Sequence, residues 1–294
     1  MMNEITIEAY GKINLALDVT GRRDDGYHLV RMIMQTVGIS DKVAVCRKPG
    51  RRGITVSCSR ADVPVGCGNI AWKAADEIMT RYDLTDSVDI YIQKNIPMAA
   101  GMAGGSADGA AVIKAMNELY ELNMSVEDMD SIAVKLGADV PFCLRKGTYL
   151  SEGIGEVLTR IQDAPECAVL IVNPGFEVST AEVYRDIDSI EDPEHPDVDS
   201  LIAAIENGTV KQMAENMGNI LELAVEPKHD VIGGIKRKML DMGAEGSMMT
   251  GSGPTVFGIF ADRGSAYKAY EYFKGRQELG CSFITEFVRQ EQKC

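Results

Sequence analysis

Cysteine, histidine and tryptophan are scarce in this chain. Its 294 residues include 7 cysteines, 3 histidines and 1 tryptophan. No two cysteines have the Cys-x-x-Cys spacing, and the histidines show no metal-ligand spacing. The sequence therefore predicts neither a zinc site nor a disulfide framework, and we expect reduced thiols in a cytoplasmic protein.

Long apolar runs and excess positive charge are also lacking. No run approaches the ~18–20 apolar residues that cross a bilayer, and the start MMNEITIEAYGK does not resemble a secretory signal. With 30 Lys and Arg against 44 Asp and Glu, the net charge is −14, which disfavours general nucleic-acid binding and polybasic membrane binding. We expect a small-molecule substrate, with no nucleic acid and no membrane. Protein partners stay unknown.

The length and composition are those of a globular protein of about two domains. Hydrophobic residues make up 45 % and charged residues 25 % of the chain. Predicted strands and helices mix without strict βαβ alternation, so the fold class is α+β. We place the boundary near residue 160, which gives domains 1–160 and 161–294.

Hydrophobic periodicity predicts the main elements. Period-two alternation predicts strands at 5–10, 13–19 and 88–93, and further strands are predicted at 43–45, 54–56, 168–172, 255–260 and 282–288. Helical spacing predicts helices at 69–82, 125–136, 198–206, 209–225, 228–242 and 265–274. A further helix follows the glycine-rich segment 97–109, with Ser106 or Asp108 as its N-cap. The acidic stretch 191–199 is predicted to be a loop.

The glycine-rich segment 97–109 is the first candidate site. Small residues let backbone N–H groups approach a ligand, and the following helix offers unpaired N–H groups and a positive dipole end. Together these features favour an anion such as phosphate. The alternative is a tight loop in which only Gly and Ala fit. The segment is neither a Walker A loop nor a Gly-x-Gly-x-x-Gly loop.

Asp139, Lys12 and Asn14 are the next candidates. Asp139 follows a helix end, where an aspartate either caps backbone N–H groups or accepts a hydroxyl proton in a cleft. Lys12 and Asn14 are two residues apart on one strand, so both face one side. A lysine in an apolar strand needs a partner or a pocket, unless the strand lies at a solvated edge.

Two turns carry weaker signals. Asp25-Gly26-Tyr27-His28 is typical of a surface hairpin turn. Thr250-Gly251-Ser252-Gly253-Pro254 is either a plain turn or a second source of N–H groups for phosphate.

Four segments occur in one order: AYGKINLALDVTGRRDDGYH, IPMAAGMAGGSADGAA, LGADVPFC and MTGSGPTVFGIF. Together they resemble the GHMP superfamily of small-molecule kinases, from about residue 8 to residue 260. The match is closer to the branch that acts on a diphosphocytidyl-linked methylerythritol. This resemblance implies a ribosomal-S5-like N-terminal domain and a ferredoxin-like C-terminal domain.

The resemblance also implies a reaction, in which ATP phosphorylates the tertiary 2-hydroxyl of the methylerythritol unit. Asp139 would orient or deprotonate that hydroxyl, and Lys12 would stabilise the charge around Asp139 and the transferring phosphoryl group. Asn14 would hold the methylerythritol end. The cytosine would stack on Tyr27, bond to His28 and be flanked by Tyr184.

The resemblance further implies how ATP and Mg²⁺ bind. Lys94 would lie near the nucleotide phosphate or base, with no metal ligand on the protein and Mg²⁺ bridging the phosphate oxygens. The triphosphate would be wrapped by Pro97, Met98, Ala99, Ala100, Gly101, Met102, Ala103, Gly104, Gly105, Ser106 and Ala107. The family loop usually reads Gly-Leu-Gly-Gly-Gly-Ser-Ser. Here Ala103 adds a methyl, which is unfavourable at positive φ, and Ala107 lacks a hydroxyl.

Two other functions stay open on the sequence alone. One is a GHMP kinase for another small alcohol, and the other is a catalytically weak nucleotide-binding regulator, which Ala103 and Ala107 suggest.

Overall fold

A computed structural model describes residues 3–276 and 278–290. The chain forms two compact units, and each is assembled from separate stretches of sequence. Unit 1 contains the chain up to Gly11, with Ile39–Met98 and Ala103–Arg145. Unit 2 contains Lys12–Gly38, Ala99–Met102 and the chain from Lys146 onward. The domain boundary near residue 160 stays a prediction.

Two long strands, β1 (Glu4–Arg22) and β2 (His28–Lys48), contribute residues to both units. The other elements of unit 1 are β3 (Gly53–Cys58), α1 (Ile70–Arg81), β4 (Ser87–Gln93), α2 (Gly104–Leu119), α3 (Val126–Leu136) and α4 (Val140–Cys143). β4 pairs antiparallel with residues 42–48 of β2 and parallel with β3. The long helix α2 packs against α1.

Helix α1 forms where the sequence predicts it. Its buried residues recur at helical spacing and are Ala71, Ala74, Ala75, Ile78 and Met79. The side chain of Asn69 caps the helix by accepting the N–H of Ala71. Helix α3 begins with a capping box between Ser125 and Asp128, and it ends at Leu136, where the predicted helix 125–136 also ends.

Unit 2 contains β5 (Thr148–Glu152), β6 (Val157–Arg160), β7 (Ala168–Asn173), α5 (Thr180–Ile187), α6 (Val198–Asn207), α7 (Val210–Glu215), β8 (Gly218–Asn219), α8 (Glu222–Val225), α9 (Asp230–Asp241), β9 (Gly246–Met249), β10 (Val256–Phe260), α10 (Arg263–Phe273) and β11 (Cys281–Glu286). β5 pairs antiparallel with β6 and with residues 32–35 of β2. Residues 16–17 of β1 pair parallel with β8.

A four-stranded antiparallel sheet forms the centre of the C-terminal part of unit 2, with the order β11-β7-β10-β9. Every residue of β7 and of β10 is buried. Helices α9 and α10 pack on these strands. The chain order β7, helices, β9, β10, α10, β11 is the β-α-β-β-α-β arrangement of a ferredoxin-like domain, as the resemblance predicted.

Two predictions about element bounds are wrong. Segment 209–225 is not one helix, because Gly218 and Asn219 are extended and pair with β1 between two short helices. Here tertiary pairing overrides helical periodicity. Helix α2 begins at Gly104, and its N-cap is Ala103. Ser106 and Asp108 therefore lie inside the helix, and neither caps it.

Several elements were not predicted, namely β5, β6, α4, α5 and β9, and β2 begins at His28, far before the predicted strand at 43–45. The two predicted strands at 5–10 and 13–19 are one continuous strand, β1. Residues 191–197 form no helix or strand, as expected, and α6 begins at Val198, where the helical spacing predicted a helix over 198–206.

Candidate active site

The glycine-rich segment has an unusual backbone. Ala99, Gly101 and Ala103 adopt positive φ angles of 46°, 69° and 56°. Left-handed residues that alternate with others turn successive N–H groups towards one side, which is the geometry of an anion-binding nest. Two of the three are alanines, for which the left-handed region is unfavourable. The positive φ that would make a methyl unfavourable at Ala103 is therefore present.

Position 101 requires glycine for two reasons, its positive φ angle and the close approach of the Thr250 backbone. A Cβ atom at this position would lie 2.2 Å from the carbonyl oxygen of Thr250. The loop backbone therefore packs directly on the turn Thr250-Gly251-Ser252-Gly253-Pro254 of the same unit. The backbone N–H of Lys12 also donates to the carbonyl of Met102 at 3.1 Å. These contacts fix the shape of the loop within unit 2.

Helix α2 offers its amino end without a side-chain cap. Ala103 cannot accept a hydrogen bond through its methyl, and the first turn holds no acidic residue. The first N–H groups of a helix lack intrahelical partners and carry the positive end of the dipole. Gly105 is exposed, and Ser106 is half-buried. This end of the helix is therefore suited to a phosphate. The side chain of Ala107, in contrast, is buried in the helix packing.

Lys12 and Asn14 lie together, as their spacing predicted. Nζ of Lys12 donates to Oδ1 of Asn14 at 2.7 Å, and both side chains are buried. The N–H of Asn14 donates to Oγ1 of Thr250 at 3.0 Å. Lys12 forms no ion pair with a carboxylate of the described residues. A buried ammonium with one neutral partner is costly unless it has an anionic ligand, so this geometry is suited to binding an anion.

Two side chains that the sequence analysis missed support the Thr250 turn. The amide of Asn219 donates to the carbonyls of Met249 and Gly251 at 2.8 and 2.9 Å. The carboxylate of Glu222 accepts the N–H of Met249 at 2.7 Å and pairs with Lys236 at 2.8 Å. Burial raises the pKa of Glu222 against the lowering effect of Lys236. Their positions in the predicted helix 209–225 gave no signal of this role.

Asp139 is half-buried at the N-cap position of α4. The interpretation that it caps backbone N–H groups is wrong, because its side chain makes no cap hydrogen bond. Its carboxylate also forms no ion pair with the residues that the structure describes. These observations leave both carboxylate oxygens available to a ligand, which fits the alternative that Asp139 accepts a hydroxyl proton.

Tyr27 and His28 follow the turn between β1 and β2, and Tyr27 is 60 % exposed. The ring of His28 stacks on Tyr184, with centroids 4.7 Å apart. Its Nε2 lies 2.8 Å from Oδ1 of Asp188, which also pairs with Arg22. The structure therefore brings two predicted site residues together, and it adds Asp188, which the sequence analysis missed.

Lys94 lies between two carboxylates, those of Asp41 and Asp108. Its side chain is 1 % exposed, and Nζ lies 2.5 Å from Asp41 and 2.7 Å from Asp108. Burial disfavours its charge, but the two carboxylates outweigh burial and raise the pKa of Lys94. Burial raises the pKa of Asp108 to about 7. Both carboxylates belong to unit 1, as Lys94 does.

The described residues contain no group of three His, Cys, Asp or Glu side chains that could hold a metal ion. Among the helices of residues 3–276 and 278–290, none is long and apolar enough to cross a bilayer. None of the six cysteines within these ranges forms a disulfide bond, and Cys294 lies outside the described residues.

Two family models match the chain. The model of the GHMP kinases N terminal domain matches residues 69–147, and that of the GHMP kinases C terminal matches residues 201–277. A 4-diphosphocytidyl-2-C-methyl-D-erythritol kinase of Acetivibrio thermocellus is 48 % identical over 98 % of this chain and 100 % of its own length. A protein of the same name from Lachnoclostridium phytofermentans is 44 % identical over 99 % of both chains.

Solved structures share the fold. A crystal structure of a 4-(cytidine 5'-diphospho)-2C-methyl-D-erythritol kinase matches with a TM-score of 0.81 and 26 % identity, over 97 % of this chain and 99 % of that one. A homoserine kinase from Cytophaga hutchinsonii matches with a TM-score of 0.79 over 99 % and 96 % of the two chains, but its 18 % identity supports the fold alone. This chain belongs to the GHMP kinase family, and within it to the group of its 4-diphosphocytidyl-2-C-methyl-D-erythritol kinase relatives.

Proposed function

We propose that this chain, a small-molecule kinase, transfers the γ-phosphate of ATP to the 2-hydroxyl of 4-diphosphocytidyl-2-C-methyl-D-erythritol. The reaction serves non-mevalonate isoprenoid precursor synthesis. The observation that carries the choice of substrate is 48 % identity over essentially the whole chain to a relative named for that substrate. The hydroxyl oxygen forms a bond to the γ-phosphorus, the bond from that phosphorus to the β,γ-bridging oxygen breaks, and ADP leaves.

Lys12 is proposed to stabilise the negative charge on the transferring phosphoryl group. It is buried, and its described partner is the neutral amide of Asn14. An anionic ligand would stabilise this ammonium strongly, because the low dielectric constant of a buried site strengthens the attraction between opposite charges. Positioning and electrostatic stabilisation supply most of the rate in phosphoryl transfer. Asn14, which is held by Thr250, is proposed to orient the methylerythritol end.

Asp139 is proposed to orient the 2-hydroxyl and accept its proton. A tertiary alcohol is a poor nucleophile, and a positioned base contributes roughly 10²–10⁴ in rate. The support is that its carboxylate caps no helix N–H. It is therefore available to a substrate hydroxyl.

The triphosphate is proposed to bind along Pro97–Ala107, at the uncapped start of α2. Support comes from the alternating left-handed residues and from the absence of acidic side chains in the first helical turn. Mg²⁺ is proposed to bind as a complex with ATP, held by the phosphate oxygens, where it would offset their negative charge. Magnesium is commonly held by substrate phosphates and water with few protein ligands.

The cytosine is proposed to stack on exposed Tyr27 and to be bonded by His28, beside Tyr184. Stacking of a base on an aromatic ring contributes roughly 1–3 kcal/mol. The contacts that support this arrangement are the His28–Tyr184 stack and the bond from His28 to Asp188. Homoserine and mevalonate have no nucleobase that could stack on these rings.

A comparison of phosphoryl acceptors tests the proposal. We expect kcat/KM for 4-diphosphocytidyl-2-C-methyl-D-erythritol to exceed the values for homoserine and mevalonate by at least about 10³-fold, because the smaller alcohols lose the base contacts. Faster phosphorylation of homoserine or mevalonate would assign the chain to another GHMP kinase activity. A Tyr27→Ala variant serves as the control, since it should narrow the preference for the cytidyl substrate.

A further inference from the structure

We propose that Lys94, Asp41 and Asp108 form a buried clamp that positions the phosphate loop, residues 97–103, and that Lys94 acts through the two carboxylates without touching the nucleotide. This inference rests on the proposed use of ATP. It replaces the expected role of Lys94 as a direct ATP ligand with that of a positioning residue.

The ammonium of Lys94 binds two carboxylates inside unit 1. Nζ donates to Oδ2 of Asp41 at 2.5 Å and to Oδ2 of Asp108 at 2.7 Å. All three side chains are 4 % exposed or less. A lysine ammonium has three N–H donors, and two of them are committed to carboxylates. Reaching a nucleotide would require Lys94 to leave both carboxylates buried without a counter-ion, which is strongly unfavourable.

Asp41 anchors the chain where it enters the loop. Its Oδ1 accepts the backbone N–H groups of Asn95 at 2.5 Å and Ile96 at 2.9 Å. Its Oδ2 meanwhile holds Lys94. One carboxylate therefore fixes three consecutive residues immediately before the loop.

Asp108 anchors the chain where it leaves the loop. It lies in helix α2, one turn after Gly104, and holds the same ammonium. A Cβ atom on Gly104 would lie only 3.0 Å from Nζ of Lys94. The absence of a side chain at position 104 thus lets the lysine reach under the first turn of the helix. The carboxylates at the two ends of the loop, those of Asp41 and Asp108, therefore both bind the ammonium of Lys94.

The clamp has a feature that stability alone does not explain. Oδ1 of Asp108 is buried and has no hydrogen-bond partner among the described residues. A buried polar atom without a partner opposes folding, and apolar residues often replace buried ion pairs without loss of stability. The arrangement does set the distance between the two loop ends. Small displacements of a positioned group carry large losses in rate, so a positioning role accounts for these residues.

The test uses three variants of the full chain, Asp108→Asn, Asp41→Asn and Lys94→Met, with Lys135→Met as the control. Lys135 pairs with Glu77 on the exposed surface of the same unit. We expect each clamp variant to raise KM for ATP by about 10- to 100-fold, with KM for the alcohol unchanged. We also expect faster hydrogen exchange of the loop amides in the ATP-free protein. Lys135→Met should change neither readout.

Non-additivity separates the clamp from direct binding. If Lys94 acts through Asp108, then Lys94→Met adds little to the rise in KM already caused by Asp108→Asn. If Lys94→Met raises KM while Asp108→Asn and Asp41→Asn leave it unchanged, Lys94 is a direct ligand and the proposal is overturned. Unchanged KM and hydrogen exchange in all three variants, with only thermal stability lowered, would also overturn it.

The failure of this proposal can be told from failure of the proposed function. Binding of a non-hydrolysable ATP analogue to the wild-type chain is measured first. Absence of that binding contradicts the proposed function itself, and the clamp with it. Binding that is equally tight in the wild-type chain and in Asp108→Asn contradicts the clamp alone.

Discussion

The ammonium of Lys12 donates a 2.7 Å hydrogen bond to the amide oxygen of Asn14, a neutral partner for a buried cation. Lys94, the other buried lysine in the described part of the chain, instead lies between two carboxylates. The same side chain type therefore occupies two opposite electrostatic environments. An uncompensated cation is suited to an incoming anion, and a compensated one to holding structure.

This contrast predicts opposite effects on stability. Lys12→Met should leave the free energy of unfolding of the ATP-free protein unchanged or higher, because it removes a buried charge that has no counter-ion among the described residues. Lys94→Met should lower it by about 3–5 kcal/mol, because it leaves two carboxylates without a cation. Urea denaturation measures both values. Equal destabilisation by the two variants would contradict the interpretation of Lys12, and unchanged turnover in Lys12→Met would remove it from the reaction.

Asp139→Asn is expected to lower kcat by about 10²-fold or more, because the amide cannot accept the hydroxyl proton. Because Asp139 caps no helix N–H, the melting temperature and the affinity for ATP should stay near those of the wild type. Steady-state kinetics and a thermal melt check these expectations together. Near-normal turnover would show that the reaction needs no base at this position.

Ala103→Gly is expected to raise the free energy of unfolding by up to about 1 kcal/mol, because alanine at a φ of 56° is strained. It should also lower KM for ATP, since it removes a methyl from the nest. Ala107→Gly is the matched control. Ala107 lies within the buried helix, where glycine costs about 1 kcal/mol relative to alanine. Destabilisation by both substitutions would mean that Ala103 is not strained.

The sequence predicted much of this molecule because its signals were local. Periodicity and capping within single segments predict the buried face of α1 and the end of α3 at Leu136. The two-residue spacing in a strand predicts that Lys12 and Asn14 share one face. The mixture of predicted strands and helices indicated the α+β class, and the family resemblance added the ferredoxin-like C-terminal domain and the kinase activity.

The parts that were missed depend on contacts between distant segments. β8 forms because Gly218 and Asn219 pair with β1, about 200 residues away. The clamp was missed because Asp41 reaches Lys94 over 53 residues of sequence. Asp108 was interpreted as an N-cap because helix α2 was expected to begin later than Gly104. The spacing of residues within one segment cannot predict contacts with a distant segment.

The pH dependence of stability tests the state of Asp108. Burial raises its pKa from 3.8 to about 7 in the folded chain. A raised carboxyl pKa means that the folded state binds this proton more tightly than the unfolded state. The resulting stability is complete below about pH 3.8 and is lost as the pH rises towards 7.

Asp108→Asn should remove this dependence, because asparagine does not titrate. The free energy of unfolding of the wild type relative to the variant is expected to fall by up to about 1.4 kcal/mol per pH unit between about pH 4 and 7. Urea denaturation at about pH 5 and pH 7.5 provides the comparison. A difference between the two proteins that is constant over this range would show that Asp108 stays ionised.

The measurement that tests the central claim most directly is ADP release from Mg-ATP by the purified chain, with and without 4-diphosphocytidyl-2-C-methyl-D-erythritol. We predict release that depends on this alcohol, with one ADP formed for each phosphate that mass spectrometry finds on the product. ATP binding without release of ADP in the presence of the alcohol would contradict the proposed kinase activity and would favour a nucleotide-binding regulator.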